Sequence, residues 1–151
     1  MKRRLLKNQK GTEVVEFAIV SVLLFLVLFG IIDFGLLLFD KQVITNASRE
    51  GARRGIVQNT QRIQLAEIQT VVTNYCQSYL VNFSNTPLTI TADNLTGGGT
   101  NCRTGATGFG DNLRVTVTYP YTFLAIPYVV SAAGGSLGNI TLEAHTTMKC
   151  E

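Results

Sequence analysis

The sequence predicts an α+β fold: a long N-terminal transmembrane and stem helix, a second, amphipathic helix, and a small antiparallel β-sheet. Three observations carry this. The run from Phe17 to Phe39 is apolar almost throughout, interrupted only by Ser21, Gly30, Asp33 and Gly35. Between Gln61 and Val81 apolar residues recur at every third or fourth position. After Pro87 the period drops to two in three separate stretches.

As a helix, the apolar run of about 23 residues would span roughly 34 Å, enough to cross a hydrocarbon core of about 30 Å. Residues 1–11 precede it as a polar leader carrying Lys2, Arg3, Arg4, Lys7 and Lys10 without an acid. The remaining chain holds eight basic side chains against all ten acids, a net charge of −2. The basic balance therefore belongs to the leader. With no basic patch interleaved with aromatics, it does not point to nucleic acid. The leader charges, against Lys41, Arg49, Arg53 and Arg54 beyond the run, favour a cytoplasmic N-terminus and an exported C-terminal part.

Beyond the run, residues 40–58 continue as a stem helix, polar on most faces. Its small residues Ala47, Gly51, Ala52 and Gly55 allow close approach by another helix or by the sheet. Asn59 or Thr60 offers an N-cap for the next element. In that element Leu65, Ile68, Val72, Tyr75 or Cys76, and Tyr79 form one apolar stripe. Cys76 falls at its edge and is expected to face the interior. Leu88, Ile90 and Ala92, then Leu113, Val115, Val117 and Tyr119, then Ile140, Leu142 and Ala144 alternate with polar residues as half-buried strands. Residues 94–112 and 120–138, rich in glycine, read as flexible connections. The second contains the apolar patch Phe123-Leu124-Ala125-Ile126. The domains are thus a leader at 1–11, a transmembrane and stem helix at 12–58, and an exported α+β domain at 59–151.

The exported part presents no convergent acid, base and nucleophile, so an enzyme is not predicted. No cofactor or metal is predicted either. His145 is the lone histidine, the cysteines fit no metal spacing, and the glycines of 97–110 lack the Lys-Ser/Thr of a phosphate loop. An exported location permits a disulfide among Cys76, Cys102 and Cys150. Cys76–Cys102 closes the shorter loop and is preferred. Cys102–Cys150, tying down the C-terminal end, is the alternative.

Gly11, four residues, Glu16, then Phe17 and a hydrophobic helix resemble a prepilin signal. More narrowly, the chain resembles the TadE-like family, pseudopilins or minor pilins of the tight-adherence (Flp, type IVb pilus) secretion system. The resemblance rests on Glu16-Phe17-Ala18, Gly30-Ile31-Ile32-Asp33, and Ala47 with Arg49-Glu50-Gly51-Ala52-Arg53. A weaker similarity runs through Val115-Thr116-Val117-Thr118-Tyr119-Pro120 and Met148-Lys149-Cys150-Glu151.

The resemblance implies a pilin-like fold in a bacterial inner membrane, single-pass, with the C-terminal domain periplasmic or extracellular. It implies cleavage by a prepilin peptidase between Gly11 and Thr12. An ordinary signal peptidase is less suited, because the apolar run is too long and no small-x-small site follows Phe39. It implies that Glu16 pairs with the new amine at Thr12 of a neighbouring subunit, with Glu13 able to share the role. The implied partners are other pseudopilins, pilin subunits and the inner-membrane secretion platform. Asp33, an ionisable residue within the span, is a functional candidate by its position alone. It is expected to contact a partner helix or to snorkel to the headgroups. The alternative function is an uncleaved, signal-anchored extracytoplasmic binding or sensor module.

Overall fold

The computed structural model describes residues 9–57, 63–81, 87–103, 108–132, 134–136 and 138–151. The elements in chain order are α1 (Gln9–Ile56), α2 (Leu65–Tyr79), β1 (Thr89–Asn94), β2 (Asn112–Tyr121), α3 (Ile126–Ala132) and β3 (Ile140–Lys149). The α+β class predicted from periodicity is the class observed. The chain forms two compact units: Met1–Phe34 with Leu124–Leu137, and Gly35–Phe123 with Gly138–Glu151.

The second unit holds the core. The strands form one antiparallel sheet in the order β1-β2-β3, with Ile90 opposite Val117 and Val117 opposite Ala144. Alternation puts Leu113, Val115, Val117, Tyr119 and Tyr121 of the central strand on one buried face. Ile90, Ala92, Leu142 and Ala144 extend that face, while Ile140 is exposed. On α1, burial recurs at Val43, Ile44, Ala47, Ser48, Gly51, Ala52 and Gly55, the helical period the sequence carried. A methyl group added to Gly51 would come within 2.5 Å of Val72 on α2 and 3.4 Å of Val115 on β2. The small residues therefore admit both neighbours, as expected. Polar contacts fix the same packing: Ser48 Oγ lies 2.8 Å from Thr146 Oγ1, and Lys41 Nζ donates to the Glu143 carbonyl.

Helix α2 buries Ile68, Val72 and Cys76 and leaves Tyr79 exposed. Its N-cap is Gln64 in extended backbone, without a side-chain cap, so the helix begins later than a cap at Asn59 or Thr60 requires. Those two residues lie outside the described ones.

The preferred disulfide is corrected. Cys102 bonds to Cys150, with Cα atoms 5.9 Å apart, and Cys76 is free and buried. Strand register is the cause. Asn112 pairs with Lys149, Gly110 N donates to Cys150 O and Cys150 N to Asp111 O, bringing Cys150 to the loop that carries Cys102. Cys76 instead faces the core from the last turn of α2.

The described residues of the connection 94–112 are more ordered than its glycines suggested. Asn94 Oδ1 accepts from Thr96 N and Gly97 N at 3.0 and 2.7 Å. Arg103 grips both oxygens of the buried Asp111, each at 2.8 Å, and Asn94 Nδ2 adds a third bond at 2.9 Å. These bonds, Arg103's first, hold the Asp111 carboxyl well below the usual carboxylate range, and the same pairing raises Arg103.

The first unit contains the apolar run of α1 and a helix the sequence reading missed. Residues 126–132, predicted within a flexible connection, form α3. Seven residues interrupted by Pro127 are too few to display a helical period.

Candidate functional site

The candidate residues lie along the first half of α1. Gly11 is the third residue of the helix, and nothing lies within 4 Å of the point where a Cβ would sit. Thr12, Glu13 and Glu16 are exposed. Glu13 and Glu16 are three residues apart, so their carboxylates share one helix face. Neither forms a hydrogen bond or ion pair among the described residues. Behind them α1 is long and apolar enough to cross a membrane, and no residue of the window that passes this test is buried. That fits a single-pass membrane protein.

Asp33 is the exception on this surface, being fully buried. Its Oδ1 accepts from Leu124 N at 3.1 Å, and its Oδ2 accepts from Ala125 N and Ile126 N, both at 3.0 Å. The first turn of any helix leaves backbone donors without intrahelical acceptors. At the start of α3 those donors find their acceptor in a carboxylate 91 to 93 residues earlier in the chain. These three acceptor contacts of Asp33 are made within its own chain. No sequence signal could name those partners, because the groups it binds are main-chain amides.

The stretch holding Gly11, Glu16, Asp33 and the stem residues Ala47, Gly51 and Ala52 coincides with a match to a protein-family model, described as TadE-like protein, over residues 11–53. Over these residues the chain is similar to that family. The TadE-like family is associated with Tad pili and is in general structural, not enzymatic. No curated protein and no solved structure matches the chain.

The matched segment contains a second buried acid that the sequence analysis did not single out. Asp40 is fully buried, and its Oδ1 accepts from Val81 N at 3.0 Å just past the end of α2. Its Oδ2 has no hydrogen-bond partner among the described residues. Two neighbours register its charge. The Cys76 thiol is pushed up to about 11, by burial first and by Asp40 second. The Tyr119 hydroxyl is raised for the same two reasons in the same order. The available signal was spacing, since Asp40 begins the pattern that continues at Val43, Ile44, Ala47 and Ser48.

Among the described residues no group of three or more His, Cys, Asp or Glu side chains could hold a metal ion. Cys76, with its thiol held protonated and buried, is unsuited to act as a nucleophile.

Proposed function

We propose that the chain is a pseudopilin or minor pilin that takes part in assembling or initiating Flp-type pili, after a prepilin peptidase cuts between Gly11 and Thr12. The observation that carries this is the TadE-like match, which begins at Gly11 and runs through the apolar helix into the stem. Its geometry is compatible with processing. Glycine offers a protease no side-chain obstruction, and the open first turn of a helix is its easiest part to unwind.

Cleavage would leave an ammonium at Thr12, four residues before Glu16. A carboxylate at the edge of a hydrocarbon layer is costly until paired. Glu16 and Glu13, exposed and without a partner among the described residues, are suited to receive the amine of a neighbouring subunit. That pairing would set the register between adjacent apolar helices. The proposed partners are the peptidase, other pseudopilins and pilin subunits, and the inner-membrane platform, with the N-terminus cytoplasmic and the sheet-bearing part exported.

The test is the intact mass and N-terminal sequence of the membrane-extracted protein from cells that have the peptidase. A chain beginning at Thr12, with processing blocked by Gly11→Ala, is the expected result. Glu16→Ala should still be cleaved while pilus assembly fails. A chain still beginning at Met1 would overturn the proposal in favour of the anchored binding or sensor module.

A further inference from the structure

We infer that α3 is a second membrane-inserted element, a short re-entrant helix that enters the acyl region beside the apolar run of α1. This rests on the reading of that run as a membrane span.

The first observation is position. Asp33 lies six residues inside Phe39, roughly 9 Å along the helix axis. It fixes the start of α3 at that depth. From there Ile126, Val129 and Val130 line a groove with Leu26, Phe29 and Gly30, which lie still further into the apolar run. Asp33, α3 and the residues lining the groove belong to one compact unit.

The second observation is the state of the backbone. Within hydrocarbon an unsatisfied amide is costly, so non-helical chain enters only where its polar groups find internal partners. Here they do at both ends. Leu124, Ala125 and Ile126 donate to Asp33, Pro127 has no N–H, and Tyr128 and Val129 both donate to the Ala125 carbonyl. At the other end Gly134 has φ +81°, its N–H reaches Ser131 O at 3.0 Å, and Gly135 N reaches Val130 O at 2.9 Å. That is the Schellman closure of a helix C-terminus.

The third observation is composition. No charged residue occurs between Arg114 and Glu143, and α3 lies inside that interval. Leu124, Tyr128 and Val129 nevertheless turn outward, Tyr128 with 78% of its surface exposed. In water this would be an apolar face without cover. Beside a membrane span, with its backbone donors occupied, it continues the lipid-facing surface of α1.

The chain contains no tryptophan, so single indoles report without background. Full-length Tyr128→Trp and Phe25→Trp proteins would be placed in phosphatidylcholine vesicles whose acyl chains carry bromine, a short-range quencher. Tyr79→Trp, on the exposed side of α2, supplies the unquenched reference. The expected result is strong quenching at positions 128 and 25 alike. Quenching at 25 with none at 128 would overturn the re-entrant helix and leave the span intact. Absence of quenching at both would overturn the span reading, and the inference with it.

Discussion

Replacing Asp33 by alanine should release α3 while leaving the sheet in place. The substitution deprives three amides of their acceptor: Leu124, Ala125 and Ile126, now at 3.0–3.1 Å from the carboxylate. A buried donor left unsatisfied costs about 1–3 kcal/mol, so holding α3 where it is would cost roughly 3–9 kcal/mol. Against this stands the packing of a few half-buried apolar side chains, worth about 1 kcal/mol each. The deficit exceeds the return, and the segment should leave its position and not stay unsatisfied. Asp33→Asn keeps one acceptor oxygen and should fall between. The assay is amide hydrogen exchange on the full chain in detergent micelles, read by peptide mass. Loss of protection over 124–132, with β2 unchanged, is expected. Unchanged protection of 124–132 in Asp33→Ala would refute the reasoning, since the carboxylate would then not be what holds the helix start.

Further outcomes follow from the second unit. Gly51→Ala would place a methyl 2.5 Å from Val72 Cγ2, a stiff β-branched side chain. Overpacking of about 1–3 kcal/mol, offset by about 1 kcal/mol of helix propensity, should lower the urea midpoint, whereas Gly35→Ala, with open space around it, should not. Cys102→Ser removes a cross-link between residues 48 apart in sequence. On the chain-entropy account this costs about 4 kcal/mol, and thiol titration of the unfolded wild type without reductant should find Cys76 alone. Asp111 has its folded pKa below the unfolded value of about 3.9, so its contribution is complete above that value and is lost as pH falls below it. Asp111→Asn should therefore destabilise the protein at neutral pH and flatten the acid limb of a stability–pH curve. An unchanged acid limb would assign the acid sensitivity to another carboxylate.

What was legible in the sequence is what periodicity encodes. The alternation of Leu113 through Tyr121 and the stripe Ile68, Val72, Cys76 gave the strands and α2, because in each the side chains facing the core repeat at the backbone's own period. The small residues of the stem were read correctly for a similar reason, since only a close neighbour makes use of a missing side chain. Pairings between distant residues were not legible. Choosing Cys76 as the disulfide partner followed loop length, but the partner is set by strand register, which places Cys150 beside Asp111. Asp33 was flagged by its cost in an apolar helix, yet its ligands were invisible because any residue but proline supplies an amide. Asp40 was passed over because an acid next to a lysine at the end of an apolar run resembles an ordinary flank. Its burial, and its place at the start of the stem's helical spacing, distinguish it.

The grip of Asp33 on Leu124, Ala125 and Ile126 has a consequence for how such chains diverge. The carboxylate reads the main chain, so it places no demand on which side chains those three positions carry, beyond barring proline from them. The tether can persist while the tethered segment drifts through unrelated apolar sequences, provided the acid stays. Related proteins could thus share this architecture with one recognisable residue on the helix side and no motif on the other, and comparisons built on aligned side chains would register only half of it.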